Sequence, residues 1–404
     1  MSDPLAAGPP YDLAVIGGGI HGAGVAQAAA AAGHRVLLVE RDGWGSGTSS
    51  KSTKLIHGGL RYLANGELRL VRESLRERRI LERIAPGLVQ PDRFYIPLYG
   101  DSRLRPRRLW LGLALYWALA GLRPGEHFTR VPRGHWPQFA GLRQDGLQAL
   151  FAYRDARTDD RRLTAAVAAS AATLGAILAC PARMTGATHQ PGGWQIRLRV
   201  GDRDCAVSAR ILVNCAGPWA DRVAASITPA PPRPRIELVQ GAHLVLDQPR
   251  IEHCYYLEVP EDGRALFLLP WQGRTLLGTT ETPFAGDPDR VAVTPAEEAY
   301  LLGTLGHYFP AVQPRVIDRF AGLRVLPASD RSPFRRSREV MLIRAPRHKP
   351  DYLAVYGGKL TGYRATASRV LELARSNLPH RRPRADTRYI ALHPPLVDME
   401  PPHR

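Results

Sequence analysis

Cysteine is scarce in this chain of 404 residues, and the four present form no pattern. Cys180, Cys205, Cys215 and Cys254 make no CxxC pair and no metal-ligand spacing. Neither a disulfide framework nor a zinc site is indicated, so they read as reduced structural thiols, and no metal is expected. Long apolar runs are missing as well. No stretch of about 20 hydrophobic residues occurs, which argues against a membrane-spanning helix. The first ten residues, MSDPLAAGPP, lack the basic start and apolar segment of a secretory signal. A cytoplasmic location, free or on a membrane surface facing the cytosol, is the expectation. Lysine is nearly absent: Lys51, Lys54, Lys349 and Lys359 stand among 55 Lys and Arg residues. Where arginine is the default cation, lysine points to a need for a compact point charge.

What remains is ordinary in bulk and unusual in charge. With 44% hydrophobic and 23% charged residues, the chain has the composition of a soluble globular protein, long enough for one elaborate domain or two. Its formal charge of +18 suits an anionic partner: nucleic acid, an anionic lipid surface or a phosphorylated substrate. A solvated basic surface would account for it equally.

The clearest local signal lies at 11–40. The short apolar run Asp12–Ile16 suits a buried parallel strand. Gly17, Gly18, Gly19 and Gly22 follow, then an alanine-rich stretch ending at Gly33, then the apolar run Arg35–Val39 closed by Glu40. Strand, glycine turn, helix, strand and terminal acid make a dinucleotide fingerprint. Gly17 permits the tight turn, Gly19 lets the backbone approach a pyrophosphate, Gly22 lets helix and strand pack, and Glu40 accepts from ribose hydroxyls.

Residues 41–60, rich in Gly, Ser and Thr, offer many backbone N–H groups and hydroxyls, as a phosphate and flavin cradle requires. Glu67–Ala85 reads as an amphipathic helix with a stripe of Leu68, Val71, Leu75, Leu81 and Ile84. After RLRPRR at 103–108, the 14 residues Leu109–Leu122 are too few to span a bilayer. They suit either a helix lying in a membrane interface or a core helix. A second alanine-rich helix is expected at 161–179. Strands are expected at Trp194–Val200, Arg210–Cys215, Gln240–Leu246, Ala265–Leu269, Thr275–Gly278 and Tyr352–Tyr356.

Taken in order, DLAVIGGGIHGAG (12–24), GTSSKSTKLIHGGLRYL (47–63), DARTDDRRL (155–163), LVNCAGPWAD (212–221), QGAHLVL (240–246), LLGTTE (276–281), GLRVLP (322–327), SREV (337–340) and VYGGKLTGYR (355–364) cover nearly the whole chain. Together they resemble the FAD-dependent glycerol-3-phosphate dehydrogenases of the glycine oxidase/D-amino-acid oxidase superfamily. SSKSTKLIHGGLRYL with GGKLT is the narrow part of that match. The resemblance implies a mixed α/β fold: a discontinuous Rossmann-type FAD-binding domain (10–61, 150–224 and 318–378). An inserted antiparallel-sheet substrate or cap domain (62–149 and 225–317) and an irregular tail (379–404) complete it. No second glycine fingerprint calls for a separate NAD domain.

By the same resemblance, Gly17, Gly19, Gly22 and Glu40 hold the ADP half of FAD. Thr48, Ser49, Ser50, Lys54 and His57, Gly58 and Gly59 line the flavin ring, with Gly217 nearby. Gly358, Lys359, Leu360 and Thr361 lie at its pyrimidine edge. Arg61, Tyr62, His243, Arg324, Arg338 and Lys359 match substrate-site positions. The chemistry agrees. A phosphate monoester needs several cations in a partly desolvated pocket, and arginine's fork suits it. Oxidation at C2 with hydride passing to flavin N5 needs a base, which His57 or His243 supplies. Arg324 or Lys359 would stabilise developing alkoxide, and Lys359 the reduced flavin.

The chain departs from the family where GIRP or GVRP is usual and Gly322-Leu323-Arg324-Val325 stands instead, so a stiffening proline is missing. It also reads as a short form without the usual helical C-terminal domain. The expected partners are glycerol 3-phosphate, a quinone acceptor and, peripherally, the anionic cytoplasmic face of an inner membrane; a homodimer is compatible. Two alternatives remain open. One is an oxidase of the same fold that uses oxygen or takes another phosphorylated alcohol or an amine. The other is a basic nucleic-acid-binding flavoprotein. Scattered arginines, with local runs only at 72–79, 103–108 and 335–338, speak against nucleic acid.

Overall fold

The computed structural model describes residues 5, 8–328 and 339–394, and two sheets organise them. The first has a parallel centre in the order Ile177–Ala179, Val36–Val39, Tyr11–Ile16, the end of Arg203–Asn214, and Tyr352–Tyr356. All six residues of Tyr11–Ile16 are buried, since a sheet covered on both faces takes an unbroken apolar strand rather than an alternating one. Met341–Ala345 adds an antiparallel edge, and Arg183–Gln190 and Gly193–Val200 continue from the first half of Arg203–Asn214.

The helix Ile20–Ala31 is buried almost all round because it packs between Asp160–Thr173 and Tyr363–Ala374. Its small side chains make that approach feasible. A Cβ on Gly24 would lie 2.6 Å from the Tyr363 ring.

The second sheet is built around Ile236–Gln248, which pairs with Arg315–Pro327, Thr282–Phe284 and Arg274–Gly278. It continues through Ala265–Trp271, Cys254–Glu258 and Val89–Tyr99 to Leu147–Thr158 and Leu55–Ile56. It is antiparallel except where Cys254–Tyr255 run parallel to Phe94–Tyr95. The helix Pro295–Tyr308 covers it, opened by a full capping box between Thr294 and Glu297.

The pairing corrects several expectations. Residues 150–158 and 318–327, assigned by sequence to the flavin lobe, are strands of the second sheet, because Leu147–Thr158 and Arg315–Pro327 find their hydrogen-bond partners there. The second alanine-rich helix stops at Thr173, ahead of the turn at Gly175, and Ile177–Ala179 is a strand. Leu68 begins its helix and is 44% exposed, so it drops out of the buried stripe. The tail has no helix or strand beyond 377 among its described residues, yet it is docked: Leu392 N–H donates to Ile84 O at 2.6 Å, and Arg384 N–H to Ala31 O at 2.7 Å. Cys180, Cys215 and Cys254 are free thiols. No helix of the described residues is long and apolar enough to cross a membrane.

Candidate active site

A cavity of about 770 Å³ runs between the two sheets. At one end it is lined by the glycine turn. Gly17 has φ +108°, and a Cβ there would sit 2.6 Å from Cys215 O. A Cβ on Gly22 would lie 1.8 Å from Gly17 O, so that residue sits behind the turn and lets helix and strand close up. The helix Ile20–Ala31 begins at Gly19 with no side-chain cap of its own; Ser49 Oγ accepts the Ile20 N–H at 2.9 Å. Glu40 lines the same end, and its Oε2 accepts the Gly18 N–H at 2.6 Å.

The glycine turn and helix N-terminus offer the backbone donors a dinucleotide diphosphate requires, the strand-end acid offers an acceptor for ribose hydroxyls, and the space needed is kept by the missing side chains. Four charged residues close over this end. Arg41 Nη2 meets Asp289 Oδ1 at 2.5 Å, Arg222 meets Asp289 at 2.8 Å and Asp287 at 2.5 Å, and Trp219 Nε1 donates to Asp289 at 2.8 Å.

The other end gathers cations around aromatic rings. Arg61 Nη1 lies 3.0 Å from Glu281 Oε1, Lys359 Nζ is 3.6 Å from the centre of the Tyr62 ring, and Arg324 donates to Thr280 O and Thr279 Oγ1 at 3.0 and 3.1 Å. His57 shares this wall, its ring stacked on Tyr62 at 6.4 Å. Its N–H donates to Thr361 Oγ1 at 3.2 Å. Tyr256 and Phe267 supply apolar lining.

Thr48, Ser49, Gly59, Gly217, Gly358, Leu360 and Thr361, expected at the flavin, line the cavity. Gly59 (φ +83°) and Gly358 (φ +89°) hold backbone conformations that favour glycine.

Four expected lining residues do not reach the cavity. Lys54 is drawn away by Asp160, with Nζ 2.7 Å from Oδ1 and 2.6 Å from Ser50 O. Ser50 turns its hydroxyl back to Gly47 O at 3.1 Å. Gly58 is packed beneath Tyr116 and Leu75. His243 lies behind the wall, its ring stacked on Phe320 at 4.8 Å and its Nε2 3.0 Å from Thr53 Oγ1. Burial, followed by the nearby Arg324 and Lys54, holds His243 well below the ordinary histidine pKa, so it stays neutral. Arg338 lies outside the described residues.

Sequence reasoning missed Arg41, Trp219 and Asp289 at one end and Glu281, Tyr256 and Phe267 at the other. It also passed over His21, which sits under Gly358 with its pKa lowered to about 4 by burial.

Such a cavity, with a dinucleotide turn at one end and a cation-lined, histidine-bearing chamber at the other, defines a nucleotide-cofactor oxidoreductase. The sequence family described as FAD dependent oxidoreductase matches residues 12–367, and the chain belongs to it. FAD is its cofactor, and Gly17, Gly19, Glu40 and the loops around Ser49 and Gly358 line the cavity that would take it. The chain is 38% identical over 390 residues to a glycerol-3-phosphate dehydrogenase of Pseudomonas aeruginosa, covering 92% of this chain and 72% of that one. It is 36% identical over 369 residues to a D-erythritol 1-phosphate dehydrogenase of Brucella abortus, covering 89% and 72%. Among solved structures, a glycerol-3-phosphate dehydrogenase of Bacillus halodurans complexed with FAD aligns with a TM-score of 0.73 at 28% identity, over 96% of this chain and 68% of that one.

Proposed function

We propose that the chain oxidises the secondary hydroxyl of a small phosphorylated polyol, with sn-glycerol 3-phosphate the substrate and dihydroxyacetone phosphate the product. One observation carries this reading: Arg61, Arg324 and Lys359 line a single chamber with His57. A dianionic phosphate needs that concentration of cations, whereas a carboxylate would be met by one arginine. The relatives named for glycerol 3-phosphate and erythritol 1-phosphate support the same substrate class. Bound FAD supplies the two-electron acceptor. Of the two histidines, His57 faces the chamber and takes the hydroxyl proton, while neutral His243 props Thr53 from behind. Arg324 and Lys359 stabilise the alkoxide as it forms.

Anaerobic addition of phosphorylated polyols to the yellow holoprotein tests this. Glycerol 3-phosphate should bleach the flavin band and glycerol should not. Equal bleaching by glycerol, or none by any phosphorylated polyol, removes the proposal.

Electrons then pass to a membrane quinone. The helix Pro106–Leu119 supports a peripheral site on the cytoplasmic face of a membrane: Trp110, Leu111 and Leu115 are 50%, 64% and 41% exposed beside Arg103, Arg105, Arg107 and Arg108. Wild-type protein should pellet with anionic vesicles at low salt and reduce a soluble quinone. A protein that stays in the supernatant, or that releases stoichiometric peroxide in air, is instead an oxidase or a soluble enzyme.

A further inference from the structure

The segment Asp155–Leu163 enters the fold as the end of one strand and the start of a helix, and two of its carboxylates, Asp155 and Asp160, stay outside the cavity. Both grip the loop that lines it. Asp160 Oδ2 accepts the Ser52 N–H at 3.0 Å and the Ser52 hydroxyl at 2.7 Å, while its Oδ1 takes Lys54 Nζ. Five positions earlier, Asp155 Oδ1 accepts the Gly58 N–H at 3.1 Å. Between these two clamps, Leu55 and Ile56 pair with Arg157 and Ala156. The whole span from Ser52 to Gly58 is therefore laid along one strand end and tied at both extremities.

The Asp155 clamp is itself held. Arg78 Nη1 reaches its Oδ1 at 2.6 Å, and the Tyr116 hydroxyl at 2.9 Å. Arg78 is fully buried and also binds Glu126 and the Arg154 carbonyl. Gly58 is packed closely: a Cβ there would lie 2.3 Å from Tyr116 Oη and 2.5 Å from Leu75 Cδ2. His57 stands next in the chain, with its own N–H on Thr361. Its ring enters the cavity from a backbone fixed on two successive amides.

We propose that Asp155, oriented by Arg78 and Tyr116, is a positioning residue for His57: it fixes the Gly58 N–H and with it the angle at which the imidazole meets the substrate hydroxyl. The role rests on the reading of His57 as the base. It explains why a buried carboxylate, which burial raises above its ordinary pKa despite Arg78, sits so close to a site it never touches. Proton transfer depends steeply on alignment, so a loosened turn lowers turnover before it lowers binding.

Tyr116→Phe removes one hydroxyl without opening a cavity, and Asp155→Asn keeps the shape while weakening every bond. In the holoenzyme, amide hydrogen exchange in the peptide spanning 57–62 should quicken about tenfold in Tyr116→Phe, with the peptide spanning 11–31 unchanged. The kcat for glycerol 3-phosphate should fall about three- to tenfold while KM stays within about twofold. Asp155→Asn, if it folds and keeps its flavin spectrum, should show a larger change of the same kind. Wild-type exchange and wild-type kcat in Tyr116→Phe overturn the proposal. Absence of turnover in the wild-type enzyme would instead overturn the proposed substrate on which the role of His57 rests, and the exchange data would still decide whether Asp155 holds the turn.

Discussion

The two ends of the cavity are closed by charges in opposite ways. Over the dinucleotide end, Arg41, Arg222, Asp287 and Asp289 are each a third to a half exposed, so their pairs compete with water and salt. At the cation-lined end the supporting pairs, Arg78 with Asp155 and Lys54 with Asp160, are withdrawn from solvent almost completely, and Arg61 with Glu281 nearly so. Exposed pairs can part and reform at little cost. Buried ones hold a geometry, because separating them leaves a charge without water or partner. The pairs at the dinucleotide end are therefore free to part, while those at the cation-lined end hold a fixed frame.

The sharpest way to break this contrast is at the glycine turn. Gly22→Ala forces a Cβ to within 1.8 Å of Gly17 O and should yield a colourless protein, read as the ratio of flavin to protein absorbance. A fully yellow variant would mean that the turn is not tightly fitted. Next in size, Arg324→Ala should lower kcat/KM for glycerol 3-phosphate about 100-fold while leaving FAD affinity unchanged. Arg324→Lys should recover only part of the loss, since a point charge cannot fork; full recovery would remove the bidentate reading.

His21, between the two ends, gives a pH handle. Its pKa of about 4 lies below the ordinary 6.5, so the unfolded chain binds the proton more readily. The stability it contributes is complete above about pH 6.5 and drains away as pH falls through 4. In His21→Gln, the loss of unfolding free energy between pH 7 and pH 4 should be smaller than in the wild type by about 3 kcal/mol. Urea melts at the two pH values measure this; equal losses would show that the ring is solvated. Smallest is the clasp itself. Asp289→Asn should speed FAD release about two- to fivefold, followed by the fluorescence of the freed cofactor, and high salt should do the same to the wild type. If neither moves the rate, the pairs do not close the cavity.

Sequence made the first sheet legible where strands are buried on both faces. Tyr11–Ile16 and Tyr352–Tyr356 read as apolar runs because nothing on them faces water. Val89–Tyr99 did not, since Pro91 and Pro97 interrupt it and its first half is largely exposed and polar. The charged first half of Arg315–Pro327 likewise concealed a 13-residue strand.

At the site, residues that act through local backbone were found: glycines whose φ is positive, and the acid that ends a strand. Residues whose role depends on a distant partner were misplaced. Nothing near Lys54 announces that Asp160, 106 positions along, will claim its ammonium group. His243 sits on a strand whose alternation gives two faces without saying which one fronts the cavity. Arg78, inside a run that reads as a basic surface, is instead one of the most deeply buried side chains in the molecule.

The helix Pro106–Leu119 has one exposed face and one buried face. Trp110, Leu111 and Leu115 look outward, while Leu109, Leu113 and Tyr116 look inward, and the Tyr116 hydroxyl ends on Asp155. Whatever presses on the outer side of this helix shares a lever arm with the turn that aims His57. If that outer face is where the protein docks, as proposed, docking and the alignment of His57 would be linked through the Tyr116 hydroxyl.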